Sequence, residues 1–174
     1  MKILIVSDTH GREQNLDRVL EEVGKFDFFI HLGDVEDGED YIRAVIGNVP
    51  LAMVAGNNDF FTDLSGEAVF SLGNYRVMVT HGHYYYVSRG HDYLAKAARE
   101  KGADIVMYGH THRPCLEQRD GLTILNPGSL SLPRQKGYQP TWVIMEIDED
   151  GQAHYAFYCL NQGRVERFPG SLGK

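Results

Sequence analysis

Cysteine is nearly missing from this chain. Cys115 and Cys159 are the only two, far apart and without a CxxC or zinc-ligand spacing, so neither a disulfide framework nor a thiolate metal site is expected. Long apolar runs are missing as well: Ile3-Leu4-Ile5-Val6 ends at Ser7-Asp8, too short for a signal-peptide core or a membrane span. We therefore expect a cytoplasmic protein with no membrane partner. A basic excess is the third absence. Asp and Glu number 24 against 17 Lys and Arg, so the global field repels polyanions and argues against a nucleic-acid partner or a nuclease. No repeat, low-complexity tract or long linker interrupts the 174 residues, which suit one domain spanning 1–174.

What is present reads as alternating short strands and helices. Runs rich in branched and aromatic residues, at Lys2 to Val6, Phe28 to Leu32, Leu51 to Val54, Arg76 to Thr80 and Ile105 to Tyr108, suggest buried strands. Between the early ones, Glu13 to Lys25 places Leu16, Val19, Leu20 and Val23 at helical spacing, and Glu39 to Ile46 predicts a second helix. Such alternation predicts parallel pairing with crossover helices. Ala68 to Leu72 and Tyr75 to Thr80, joined by Gly73-Asn74, read as a hairpin, and a third helix follows from Asp92 to Lys101. The last third is mostly strand, with runs at Leu122 to Leu125, Trp142 to Ile147 and His154 to Cys159. The expected fold class is α/β: a four-layer α/β/β/α sandwich in which two mixed β-sheets pack face to face with helices outside.

Polar clusters sit where strands end: Asp8-Thr9-His10, Gly33-Asp34, Gly56-Asn57-Asn58-Asp59, His81-Gly82-His83 and Gly109-His110-Thr111-His112. Ligands bind at the carboxyl ends of strands in open α/β sheets, so five distant segments are expected to converge on one edge. Imidazole, carboxylate and amide oxygen without thiolate suit divalent Mn, Fe, Co, Ni or Zn. Alternation along an extended segment would put Asp8 and His10 on one side, and likewise His110 and His112. The glycines before Asp34, Asn57 and His110 permit close backbone approach.

The order DxH, GD, GN, HG and GHTH, from Asp8 to His112, resembles the calcineurin-like metallophosphoesterase family. Asn126-Pro127-Gly128-Ser129 resembles its small bacterial and archaeal phosphodiesterase branch, so the likeness covers most of the chain. The resemblance implies that Asp8, His10, Asp34 and His112 hold one metal ion while Asp34, Asn57, His81 and His110 hold a second. Asp34 would bridge two divalent cations, Mn first, with Ni, Fe, Co or Zn as alternatives. Two cations roughly 3.5–4 Å apart can grip a phosphoryl oxygen and activate a shared hydroxide for in-line attack on a small organic phosphodiester.

One residue departs from the family pattern. Where most members have a His thought to protonate the leaving group, this chain has Asn58, whose amide donates a hydrogen bond but no proton. That loss resembles the small phosphodiesterase branch and favours substrates with good leaving groups, with His83 as a substitute acid. The catalytic set implied is thus Asp34, Asn58 and His83.

Two other functions stay open, a phosphomonoesterase and a non-catalytic protein-binding scaffold like the retromer subunit of related fold. So does a homo-oligomer, dimer or tetramer. Around the site, His31 is expected to support Asp34 from behind, Asp59 to orient a ligand, and His91 and His154 to play no part in the chemistry. Tyr84-Tyr85-Tyr86 could wall a substrate ring or simply pack a loop, and Arg12 and Arg134 could grip phosphate.

Overall fold

The computed structural model describes residues 1–162 and 164–167, so the part of the single-domain expectation that covers 168–174 lies outside the described residues. The elements run β1 (Lys2–Val6), α1 (Gln14–Val23), β2 (Phe28–His31), α2 (Glu39–Ile46), β3 (Leu51–Met53), β4 (Glu67–Leu72), β5 (Tyr75–Thr80), α3 (Asp92–Glu100) and β6 (Ile105–Met107). They continue with β7 (Pro114–Arg119), β8 (Leu122–Pro127), β9 (Thr141–Ile147), β10 (Ala153–Asn161) and β11 (Arg164–Arg167).

The strands form two mixed sheets, ordered β11-β10-β9-β1-β2-β3 and β4-β5-β6-β8-β7. Side-chain alternation along each strand explains the layers. Ile3 and Ile5 point between the sheets, where they meet Val77, Val79, Ile105, Met107, Val143 and Met145. Their neighbours Leu4 and Val6 point the other way, onto Leu16 and Val19 of α1 and Ile42 and Ile46 of α2. On the second sheet Met78, Val106 and Ile124 pack outward against Leu94, Ala95 and Ala98 of α3. The expected four-layer sandwich is the one found.

Differences from the sequence reading have local causes. The first helix stops at Val23 because Gly24, with φ 62°, turns the chain while its N–H caps Leu20 O at 3.2 Å. Parallel pairing holds for β1, β2 and β3 and for β5, β6 and β8, whereas β4, β7, β9, β10 and β11 run antiparallel to their neighbours. Strands β7 and β11 were not expected: both are sheet edges, and β11 reads Arg-Val-Glu-Arg with no buried residue. Among the described residues no helix is long and apolar enough to cross a membrane.

The parallel registers position the site. Val6 pairs with His31 and His31 with Met53, so β1, β2 and β3 end level with one another. Val79, Met107 and Leu125 do the same in the second sheet. The loops that follow open at one edge of the sandwich.

Candidate metal centre

Asp8, His10, Asp34 and His112 each offer a donor atom within 4.8 Å of the others. His112 Nε2 lies 3.0 Å from Asp8 Oδ1, His10 Nε2 lies 3.7 Å from Asp34 Oδ2, and the Nε2 atoms of His10 and His112 are 3.4 Å apart. A second group adjoins it. Asn57 Oδ1 is 3.2 Å from His81 Nε2 and 2.8 Å from His110 Nδ1, and His81 Nε2 is 3.4 Å from Asp34 Oδ2. All seven residues singled out in the sequence as metal donors therefore meet, with Asp34 common to the two groups.

Three imidazoles are fixed by contacts on their far side. His81 Nδ1 donates to Leu32 O at 2.6 Å, His112 Nδ1 to Leu132 O at 2.7 Å, and His10 Nδ1 to Glu36 Oε1 at 2.8 Å. Those bonds assign the tautomer and turn each Nε2 inward. The Leu32 and Leu132 carbonyls and Glu36 escaped the sequence reading; backbone oxygens carry no residue signature, and Glu36 belongs to no motif.

Close packing needs glycine at two places. A Cβ on Gly56 would collide with the Asp34 carboxylate, and one on Gly109 would meet Ser7 Oγ and stand 2.9 Å from Asp8 Oδ2. The Asn126-Pro127-Gly128-Ser129 segment acts as a strut. Asn126 Nδ2 donates to Gly109 O at 2.8 Å and to Thr111 Oγ1 at 3.0 Å. Ser129 Oγ and Ser131 Oγ both donate to Asp8 O, at 2.8 and 2.9 Å.

The expected extended geometry of the two DxH- and HxH-type pairs is corrected here. Asp8 (φ 55°), His10 (φ 49°), Asp34 (φ 54°), His110 (φ 65°) and His112 (φ 57°) all adopt the left-handed region. Tight bends, rather than strand alternation, bring each pair to one side. Such residues cost about 1–3 kcal/mol each and collect where the surrounding structure holds them for function.

The electrostatics suit a cation. Asp8 is fully buried, and neither of its carboxylate oxygens has a hydrogen-bond partner. His112 Nε2 stands 3.0 Å from one of them, while Nδ1 of the same ring is bonded to the Leu132 carbonyl. Burial alone would raise the Asp34 pKa, but His81, the Asn58 backbone N–H and His10 outweigh it and hold the carboxyl well below the usual range. Burial would lower His81, yet Asp34, Asp8 and the Leu32 carbonyl raise it above an ordinary imidazole. Lone pairs converge with few donors between them, an arrangement that a divalent ion satisfies.

Asn58 engages Asp34 twice, its backbone N–H reaching Oδ1 at 2.9 Å and its side-chain Nδ2 reaching Oδ2 at 2.8 Å. His83 stands beside His81 and His110, with ring centroids 5.5 and 6.1 Å away, and its Nδ1 is buried without a partner. Burial, then the neighbouring His81 and His110, depress its pKa, so it is neutral at neutral pH. Asp59 accepts from Glu36 N at 2.5 Å and Gly56 N at 2.7 Å, tying two loops together.

His31 is buried behind the cluster, with Nε2 3.1 Å from Thr9 Oγ1 and Nδ1 accepting from Gly33 N at 3.3 Å. Burial holds its pKa at about 4 despite the nearby carboxylates. His91 bridges Glu117 (2.6 Å) and the Tyr108 hydroxyl (2.7 Å), and His154 pairs with Asp148 at 2.6 Å. Of the three tyrosines, Tyr84 is exposed beside His83, Tyr85 bonds Glu67, and Tyr86 packs edge-on against Tyr93. Arg12 and Arg134 are exposed.

Comparison with known proteins bears on this geometry. The calcineurin-like phosphoesterase superfamily domain matches residues 1–150. The chain is 33% identical over 167 residues to the probable metallophosphoesterase YsnB of Bacillus subtilis, covering 95% of each. It is 28% identical over 146 residues to the phosphodiesterase MJ0936 of Methanocaldococcus jannaschii, covering 74% of this chain and 83% of that one. Vps29 of Entamoeba histolytica, solved in complex with zinc, superposes with a TM-score of 0.80 over 97% of each chain at 23% identity, a likeness of fold.

Proposed function

Because the chain belongs to the calcineurin-like phosphoesterase superfamily and is a metal-dependent phosphoester hydrolase, we propose that it cleaves small organic phosphodiesters at a pair of divalent cations. Asp8, His10, Asp34 and His112 would hold one ion, and Asp34, Asn57, His81 and His110 the other. The observation that carries this reading is the place of Asp34 Oδ2, 3.7 Å from His10 Nε2 and 3.4 Å from His81 Nε2, shared between the two donor groups. The donor set suits Mn first, and Ni, Fe, Co or Zn as alternatives. When bound, such ions acidify water to a nucleophile near neutral pH and offset charge on the phosphoryl oxygens.

The residues themselves orient and select. Asn58 steadies Asp34 through two hydrogen bonds and has no proton to release. His83, kept neutral by its surroundings, supplies a hydrogen bond more readily than a proton at neutral pH. Weak acid assistance favours diesters with good leaving groups over alkyl monoesters. We read the chain as one domain acting in the cytoplasm on a small-molecule substrate, without a nucleic-acid or membrane partner.

The test is metal content by emission spectroscopy, followed by turnover of bis(4-nitrophenyl) phosphate and 4-nitrophenyl phosphate with each metal. Two equivalents per chain with faster diester cleavage is the expected result. Faster monoester cleavage would turn the reading to a phosphomonoesterase, and a fully metallated but inert protein would turn it to a scaffold.

A further inference from the structure

We infer that the substrate's alcohol portion is seated as a planar aromatic ring without negative charge, of nucleobase size, in a cavity beside the proposed metal centre; this rests on the phosphodiesterase reading above. The cavity, about 370 Å³, is lined by Glu36, Asp37, Asn58, Asp59, Phe60 and Phe61. Two of its walls also belong to the centre: Glu36 accepts from His10 Nδ1 at 2.8 Å, and Asn58 Nδ2 donates to Asp34 Oδ2 at 2.8 Å. A group filling the cavity is thereby separated from the proposed donors His10 and Asp34 by a single side chain.

The side chains specify what fits. Phe60 and Phe61 are 78% and 105% exposed, consecutive rings that join none of the three apolar cores. Core packing gives no reason for them, whereas flat apolar faces next to a phosphoester site are what a stacked ring requires. The remaining wall is acidic. Asp59 spends its oxygens on Glu36 N and Gly56 N, and Glu36 and Asp37 are exposed. Three carboxylates repel a second phosphate or any other anion, so the seated group carries no negative charge. The loop is held in place for the role, with Phe60 N bonded to Asn58 O at 3.2 Å and Asp59 N to Gly56 O at 3.4 Å.

The test compares two diesters with one leaving group, adenosine 5′-(4-nitrophenyl) phosphate and methyl 4-nitrophenyl phosphate, on the Mn-loaded full chain. The adenosine ester should be preferred in kcat/KM by about tenfold or more, mostly through KM, as expected for one stacked base. The double variant Phe60→Ala/Phe61→Ala should bring that ratio close to one. Equal use of both esters by the wild type, or a ratio untouched in the double variant, would overturn the inference while leaving the phosphodiesterase reading intact.

If neither ester is cleaved the phosphodiesterase reading fails, and ring seating is then decided by binding. With 4-fluorophenylalanine at position 61, the ¹⁹F signal should shift and saturate with adenosine 5′-monophosphate but not with ribose 5-phosphate. Equal responses overturn the inference. So does a ¹⁹F shift that follows protein concentration alone, which would mark the rings as a contact between copies of the chain.

Discussion

The two donor groups that share Asp34 are built differently. Around Asp8, Asp34 and His112 the side chains are almost closed to solvent, with relative exposures of 0%, 2% and 4%. Asn57, at the centre of the other group, is exposed, and His110 is half-buried with a pKa lowered by burial and by His81. The closed group is braced from three directions, by Glu36, by the Leu132 carbonyl and by the serines on Asp8 O. In the open group His81 is itself buried and braced by the Leu32 carbonyl, but Asn57 lies on the loop between β3 and β4, where its side-chain oxygen meets two imidazoles. Rigid, desolvated donors hold a cation more tightly than mobile, hydrated ones, so one strong and one exchangeable site are expected.

The largest effect should come from the residue common to both. Asp34→Asn is expected to lower kcat/KM by about 10³-fold or more and to reduce bound metal below two equivalents. Two tightly held equivalents in that variant would break the comparison at its centre.

Next comes acid sensitivity behind the closed group. His31 titrates at about 4 when folded and at 6.5 as a free side chain, so the unfolded chain binds the extra proton between those values. Its contribution, about 3 kcal/mol, is fully present above pH 6.5 and is lost as pH falls towards 4. Urea titrations of metal-free protein across that window should show the loss, and His31→Asn should flatten the slope. An equal slope in that variant would assign the acid sensitivity elsewhere.

Asn57→Ala separates the groups most directly. One tight equivalent of metal should remain by calorimetry, with activity down about 10- to 100-fold and partly restored by excess Mn²⁺. Simultaneous loss of both ions would mean that the two groups bind as one unit. The smallest effect is expected from Glu36→Gln, about tenfold in metal affinity, confined to the stronger site. A loss at the weaker site alone would reverse the assignment of tight and loose.

Legibility in the sequence followed the same divide between what side chains encode and what backbone supplies. The strand-end clusters could be read because parallel registers such as Val6 to His31 to Met53 oblige successive loops to emerge together. Apolar runs in β1, β5 and β6 were equally plain, since both faces of those strands are covered. Strand β7 was not, because Pro114-Cys115-Leu116-Glu117-Gln118-Arg119 buries only Leu116 and forms an edge. Nor were the left-handed bends at Asp8, His10, Asp34, His110 and His112: their φ values depend on loops closing against one another. Glu36 reaches His10 by the same closure.

The serine grip on the Asp8 carbonyl has a consequence for synthesis. Ser129 and Ser131 stand 121 and 123 positions after Asp8, so the donors of the first loop leave the ribosome long before their clamp exists. A nascent chain stalled after His112 would carry every proposed donor and still lack the frame that aims them. Contacts of such long range close late, and competence for hydrolysis should therefore be among the last properties the maturing polypeptide acquires.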